Sequence, residues 1–84
     1  MGSSNELITL KPEQVEELNQ KLSQMRHDIN NMLSLITAAV EVIRSKPHLT
    51  ERMAEAALEQ PSRIANCIGQ FSEEFQRILG VPDS

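Results

Sequence analysis

Apolar side chains recur at Val15, Leu18, Leu22, Met25, Ile29, Met32, Ile36, Ala39 and Ile43 in alternating steps of three and four. That spacing keeps one stripe of a helix apolar through about four heptads and predicts a long amphipathic helix with a coiled-coil-like seam. Pro12 suits a first helical turn, where its missing N–H would have no partner anyway. Glu13, Glu16 and Glu17 follow where the helix dipole favours negative charge. Nothing interrupts the pattern before Ser45-Lys46-Pro47. Helix one is therefore expected from about residue 12 to 45, roughly 50 Å at 1.5 Å per residue. Arg44 and Lys46 supply positive charge at its end, and Pro47 stops it.

A second apolar line runs through Met53, Ala57, Ile64, Ile68, Phe71, Phe75 and Ile78, widened by Ala56, Leu58, Cys67 and Leu79. Thr50 is the expected N-cap. Gly80-Val81-Pro82 supplies a glycine stop with a proline just beyond it. Pro61 falls in the middle and removes one backbone hydrogen bond. The apolar period continues through it, so the expectation is one kinked helix over about 50–79 rather than two short ones. Residues 1–11 read as a lead-in whose Leu7, Ile8 and Leu10 can close the end of a core, and 81–84 as a tail.

Two long helices joined by about four residues fold back as an antiparallel hairpin. With Val15 at heptad position a, helix one is apolar only at a and d in its first half. In its second half Leu33, Leu35, Val40 and Val42 add the flanking e and g positions. So wide a stripe asks for neighbours on more than one side. The expected fold is all-α: a two-helix hairpin that pairs with a second copy to form a four-helix bundle.

Composition narrows the function classes. At 84 residues the chain is one domain at most, and short chains often need a partner to complete a core. A single cysteine, Cys67, excludes a disulfide scaffold, and no Cys/His pair has zinc-ligand spacing. The net charge of −4 and the absence of Trp and Tyr disfavour a nucleic-acid binder. The most apolar run, Met32 to Ile43, is too short to span a bilayer, and the N-terminus lacks the pattern of a secretion signal. A cytoplasmic protein with no membrane insertion is expected. No strand pattern carries a glycine-rich phosphate loop, so no ATP site is expected within the chain.

The chemistry concentrates in Arg26-His27-Asp28-Ile29-Asn30-Asn31. The heptad places His27 at f, furthest from the seam, with Asn31 and Ser34 on its face. An outward histidine on a coiled coil is ordinarily a plain surface residue. Here Asp28, Asn30 and Asn31 surround it, and mid-helix asparagines cost stability relative to Ala, Glu or Lys. An unprotonated imidazole is a competent nucleophile near neutral pH. A packed seam beneath it makes a stiff platform. His48 falls at the turn and is expected to be solvated.

The run from Leu22 to Ile36 resembles the histidine-bearing box of the dimerisation and phosphoacceptor domain of sensor histidine kinases, in the branch that reads His-Asp-x-Asn-Asn before an apolar helix. The likeness covers roughly residues 22–44. It implies a dimer of hairpins whose exposed histidine takes a phosphoryl group from ATP and passes it to an aspartate of a response regulator. By position, His27 would be the phosphoacceptor, Asp28 its orienting or proton-accepting neighbour, and Asn31 the residue that orients water for dephosphorylating the regulator. The receiver domain would dock along Asn30, Ser34, Thr37 and Ala38. Residue chemistry adds Arg26 and Asn30 as groups able to hold phosphate oxygens. Many members of the family carry a proline after the box. The stretch Asn30 to Ser34 has none, which moves the expected bend to Pro61.

No cofactor or metal site is expected in the chain itself. ATP and magnesium would be held by a separate kinase domain, acting in cis or in trans, and the chain would be either part of a histidine kinase or a stand-alone phosphotransfer protein. The rival reading is a non-catalytic dimeric helical scaffold or coiled-coil interaction module.

Overall fold

The structure, a computed structural model, describes residues 9–80. It contains α1 (Pro12–Ser45), a 3-10 turn (Pro47–Leu49), α2 (Thr50–Leu58) and α3 (Gln60–Leu79), with no strand among the described residues. The sequence-level expectations for Leu7, Ile8 and the tail 81–84 lie outside them.

Lys11 is extended, at φ −77° and ψ 153°, and Pro12 opens α1. Gln14 closes the first turn in two ways: its backbone N–H donates to the Lys11 carbonyl at 2.9 Å, and its side-chain Oε1 accepts the Lys11 N–H at 2.8 Å. The other end of that amide reaches across the fold, where Nε2 donates to the Ile78 carbonyl at 2.9 Å. One side chain thus serves an orphan donor at the start of α1 and an orphan acceptor at the end of α3. Gly80 then stops α3 in the left-handed region at φ 72°, which only glycine adopts without cost.

At the far end the Lys46 N–H donates to the Val42 carbonyl at 2.6 Å before Pro47 turns the chain. Thr50 is not the N-cap. The 3-10 turn runs directly into α2, so Thr50 is already helical at φ −53° and ψ −48°, and its hydroxyl donates back to the Pro47 carbonyl at 2.6 Å. A threonine hydroxyl serves either direction, and here the preceding turn decides.

The second helical stretch is interrupted at one residue, Glu59, which itself stays right-handed helical at φ −75° and ψ −22°. Pro61 explains the interruption: it offers no N–H to the Ala57 carbonyl one turn back. Gln60, only 4% exposed, turns its amide inward and donates from Nε2 to the Ala56 carbonyl at 3.1 Å.

Cross-connections descend one helix as they climb the other. Glu17 meets Arg77 at 3.0 Å, Lys21 meets Glu74 at 4.0 Å, and the Cys67 thiol points to the Met25 carbonyl at 3.9 Å. The α3 helix therefore lies beside the first part of α1 in the opposite direction, and α2 packs against the remainder. The result measures 59 × 25 × 15 Å. Its smallest dimension is close to that of one helix with its side chains, so this is a single layer. A single layer encloses little. Ala39 and Ile78 are the buried apolar residues among those described, and no large side chain is completely enclosed.

The two broad faces of the layer differ. Lys21, Gln24, Met25, Asp28, Cys67, Gln70, Phe71, Glu73 and Glu74 line a groove of about 400 Å³ on one of them. Leu33 and Val40 occupy the flank of α1 turned away from Lys21 and Asp28, and Ile68 and Phe75 the flank of α3 turned away from Gln70 and Glu73. These four remain 40–49% exposed. Val15 departs from the seam pattern: it is exposed, because in this first turn Gln14 takes the inward place against Ile78.

Candidate functional site

Helix one carries the site as one unbroken element. Between Pro12 and Ser45 it has no glycine and no further proline, and its seam residues from Leu18 to Ile43 sit half-buried or buried against α2 and α3. His27 projects from the opposite side with 70% of its side chain exposed. Asn30, Asn31, Ser34, Thr37 and Ala38 are all exposed on the turns that follow.

Adjacent residues on a helix do not ordinarily face each other. His27 and Asp28 nevertheless converge, with imidazole Nδ1 at 3.5 Å from Asp28 Oδ1. The Asp28 carboxylate sits 40% exposed at the rim of the inter-helix groove. With the carboxylate beside Nδ1, the ring's Nε2 is the atom left open to an incoming electrophile. The sequence reading passed over Gln24, which donates from Nε2 to Asp28 Oδ1 at 2.9 Å. Its i, i+4 spacing to Asp28 was the available signal, since Gln and Asp so placed form a known helical pair.

Asn30, Ser34, Thr37 and Ala38 border one shallow depression of about 330 Å³ on α1, completed by Leu33 and Glu41. Small side chains at Ser34 and Ala38 leave the helix surface low there. Asn31 lies one turn beyond His27 on the adjoining row. Arg26 is exposed on the flank away from Asp28 and takes no part in the described ion pairs.

Charge near the groove is organised around Arg77, which pairs with Glu74 on its own helix and with Glu17 across the layer. The hydrogen bond from Arg77 holds the Glu74 carboxyl below its ordinary value; desolvation opposes it, and the Arg77 and Lys21 charges add lesser help. Among the described residues no cluster of three or more His, Cys, Asp or Glu is placed to hold a metal ion, and no helix is long and apolar enough to cross a membrane. Comparison with family models, with curated proteins and with solved structures finds no match.

Proposed function

We propose that this chain is the histidine phosphoacceptor and dimerisation module of a two-component phosphorelay. The observation that carries the reading is His27: an exposed imidazole on an unbroken helix, with a carboxylate 3.5 Å from Nδ1 and Nε2 turned from it. In the first step Nε2 attacks the γ-phosphorus of ATP held by a separate kinase domain, in cis or in trans. The N–P bond forms as the bond to ADP breaks, and the Nδ1 proton of the resulting imidazolium is stabilised by Asp28 before it leaves. In the second step a carboxylate oxygen of a response regulator attacks the same phosphorus, and His27 is released. The receiver domain docks along Asn30, Ser34, Thr37 and Ala38, while Asn31 orients a water for removing phosphate from the regulator.

The two antiparallel stretches act as a hairpin, and two hairpins close a cytoplasmic four-helix bundle through the face bearing Leu33, Val40, Ile68 and Phe75. A dimeric scaffold would use those same apolar positions, so dimerisation alone does not separate the readings; phosphate on His27 does. The test is incubation with a histidine kinase's ATP-binding domain and radiolabelled ATP. Acid-labile, base-stable label on the wild type and none on His27→Gln is expected. Equal labelling of both, or of neither, would overturn the proposal.

A further inference from the structure

The strip that bears His27 contains one contact that phosphoryl transfer as described leaves unused. Asp28 Oδ1 accepts a hydrogen bond from Gln24 Nε2 at 2.9 Å and lies 3.5 Å from His27 Nδ1. A carboxylate oxygen has room for both partners. An aspartate is free to rotate about its last torsion, so without a second tie either oxygen, or neither, would face the ring. Lys21, the cation that lines the same groove as Asp28, pairs with Glu74 at 4.0 Å. A neutral amide therefore holds the Asp28 carboxylate, and it fixes the oxygen without neutralising the charge. The oxygen so held is the acceptor that faces Nδ1, and the ring nitrogen facing an acceptor is the one that carries the proton in the neutral ring.

We infer that Gln24 is a positioning residue: by holding Asp28 Oδ1 against His27 Nδ1 it keeps the ring proton on Nδ1 and leaves Nε2 as the attacking atom. The inference rests on His27 being the phosphoacceptor, but its physical content is a tautomer, which is measurable without any kinase. Free histidine side chains favour the proton on Nε2, so the structure calls for the less common form at His27. His48, exposed at the turn and without a carboxylate partner among the described residues, serves as an internal reference.

The experiment uses the full 15N-labelled chain at about pH 8.5, two units above an ordinary histidine. Two-bond 1H–15N correlation spectra should show Nδ1–H at His27 and Nε2–H at His48. Potassium phosphoramidate then serves as chemical donor: Nε2 attacks phosphorus, the donor's P–N bond breaks, ammonia leaves, and the Nδ1 proton passes to solvent. In Gln24→Ala, and in the equally long but donor-less Gln24→Glu, His27 should shift to the Nε2–H form. Its phosphorylation should slow roughly fivefold relative to His48, the weight of about one net hydrogen bond. Unchanged tautomer and rate ratio in both variants would overturn the inference even if a kinase domain labels His27. A Gln24-dependent tautomer with no labelling by the kinase domain would support the inference and defeat the phosphorelay reading alone.

Discussion

Replacing Leu33 and Val40 together by glutamate should abolish self-association, and the layer's geometry sets the size of the effect. Leu33, Val40, Ile68 and Phe75 are 49%, 47%, 47% and 40% exposed. Full burial of such side chains stabilises by about 1.5–3 kcal/mol, so covering the exposed half contributes about 1 kcal/mol each. Four side chains in each of two copies contribute about 8 kcal/mol; the rest of the covered face adds to this, and the entropic cost of association is set against the total. The double substitution removes roughly half of that gain, and about 4 kcal/mol corresponds to roughly a thousandfold weaker dissociation constant. Sedimentation equilibrium should find a wild-type dimer at micromolar concentration and a monomeric variant. Because so little is buried within one copy, helicity measured by circular dichroism should fall as the dimer is lost. Leu35→Glu, on the opposite flank of α1, should leave the dimer intact. A wild type that sediments as a well-folded 9.4 kDa monomer would refute the reasoning, as would a double variant that dimerises as tightly as the parent.

His27→Ala should change unfolding free energy by no more than about 0.5 kcal/mol, as for other exposed side chains; a loss of several kcal/mol in urea titration would mean the ring is packed in the functional assembly. Asn31→Ala should spare transfer from phosphorylated His27 to the regulator while slowing the regulator's dephosphorylation, because only the latter needs a placed water; equal loss of both rates would assign Asn31 to docking. The Arg77 cluster carries a pH signature. Glu74 has its folded-state pKa lowered, so its contribution is present above the ordinary carboxyl range and disappears as pH falls through the lowered value. The stability gap between wild type and Arg77→Gln should therefore close in acid, below the ordinary carboxyl range, and a gap constant with pH would show that it arises from packing.

What was legible in the sequence were features with a strong local cause. Pro12 and Pro47 bracket α1, Gly80 ends α3, and the step of three and four puts His27 outward, all for reasons confined to a turn or two of backbone. Features with two locally acceptable solutions were not legible. The Thr50 hydroxyl can accept forward or donate backward, and a 3-10 turn that sequence does not announce selects the second. Val15 fits the seam by spacing, yet its place at the end of the layer gives the inward position to Gln14. At the site, heptad position could not reveal that Asp28 turns its carboxylate to Nδ1 of the preceding residue. That depends on side-chain torsions and on Gln24, whose significance appears only when the three groups are placed together.

The interruption at Glu59 gives the layer two rails of unequal compliance. Residues facing each other across it, such as Met25 and Cys67, place the Pro61 joint opposite the turn of α1 that follows Asn31. Bending is easiest there, since the Ala57 carbonyl has no amide of Pro61 to stretch, whereas α1 runs through the same level with its hydrogen-bond ladder unbroken. A load on the layer would thus re-aim α2 against α3 and leave the histidine-bearing rail straight. The spacing along α1 from His27 to Ala38 stays fixed while the helix behind it shifts, so under the proposed function that row would be the ruler against which a docking receiver is measured.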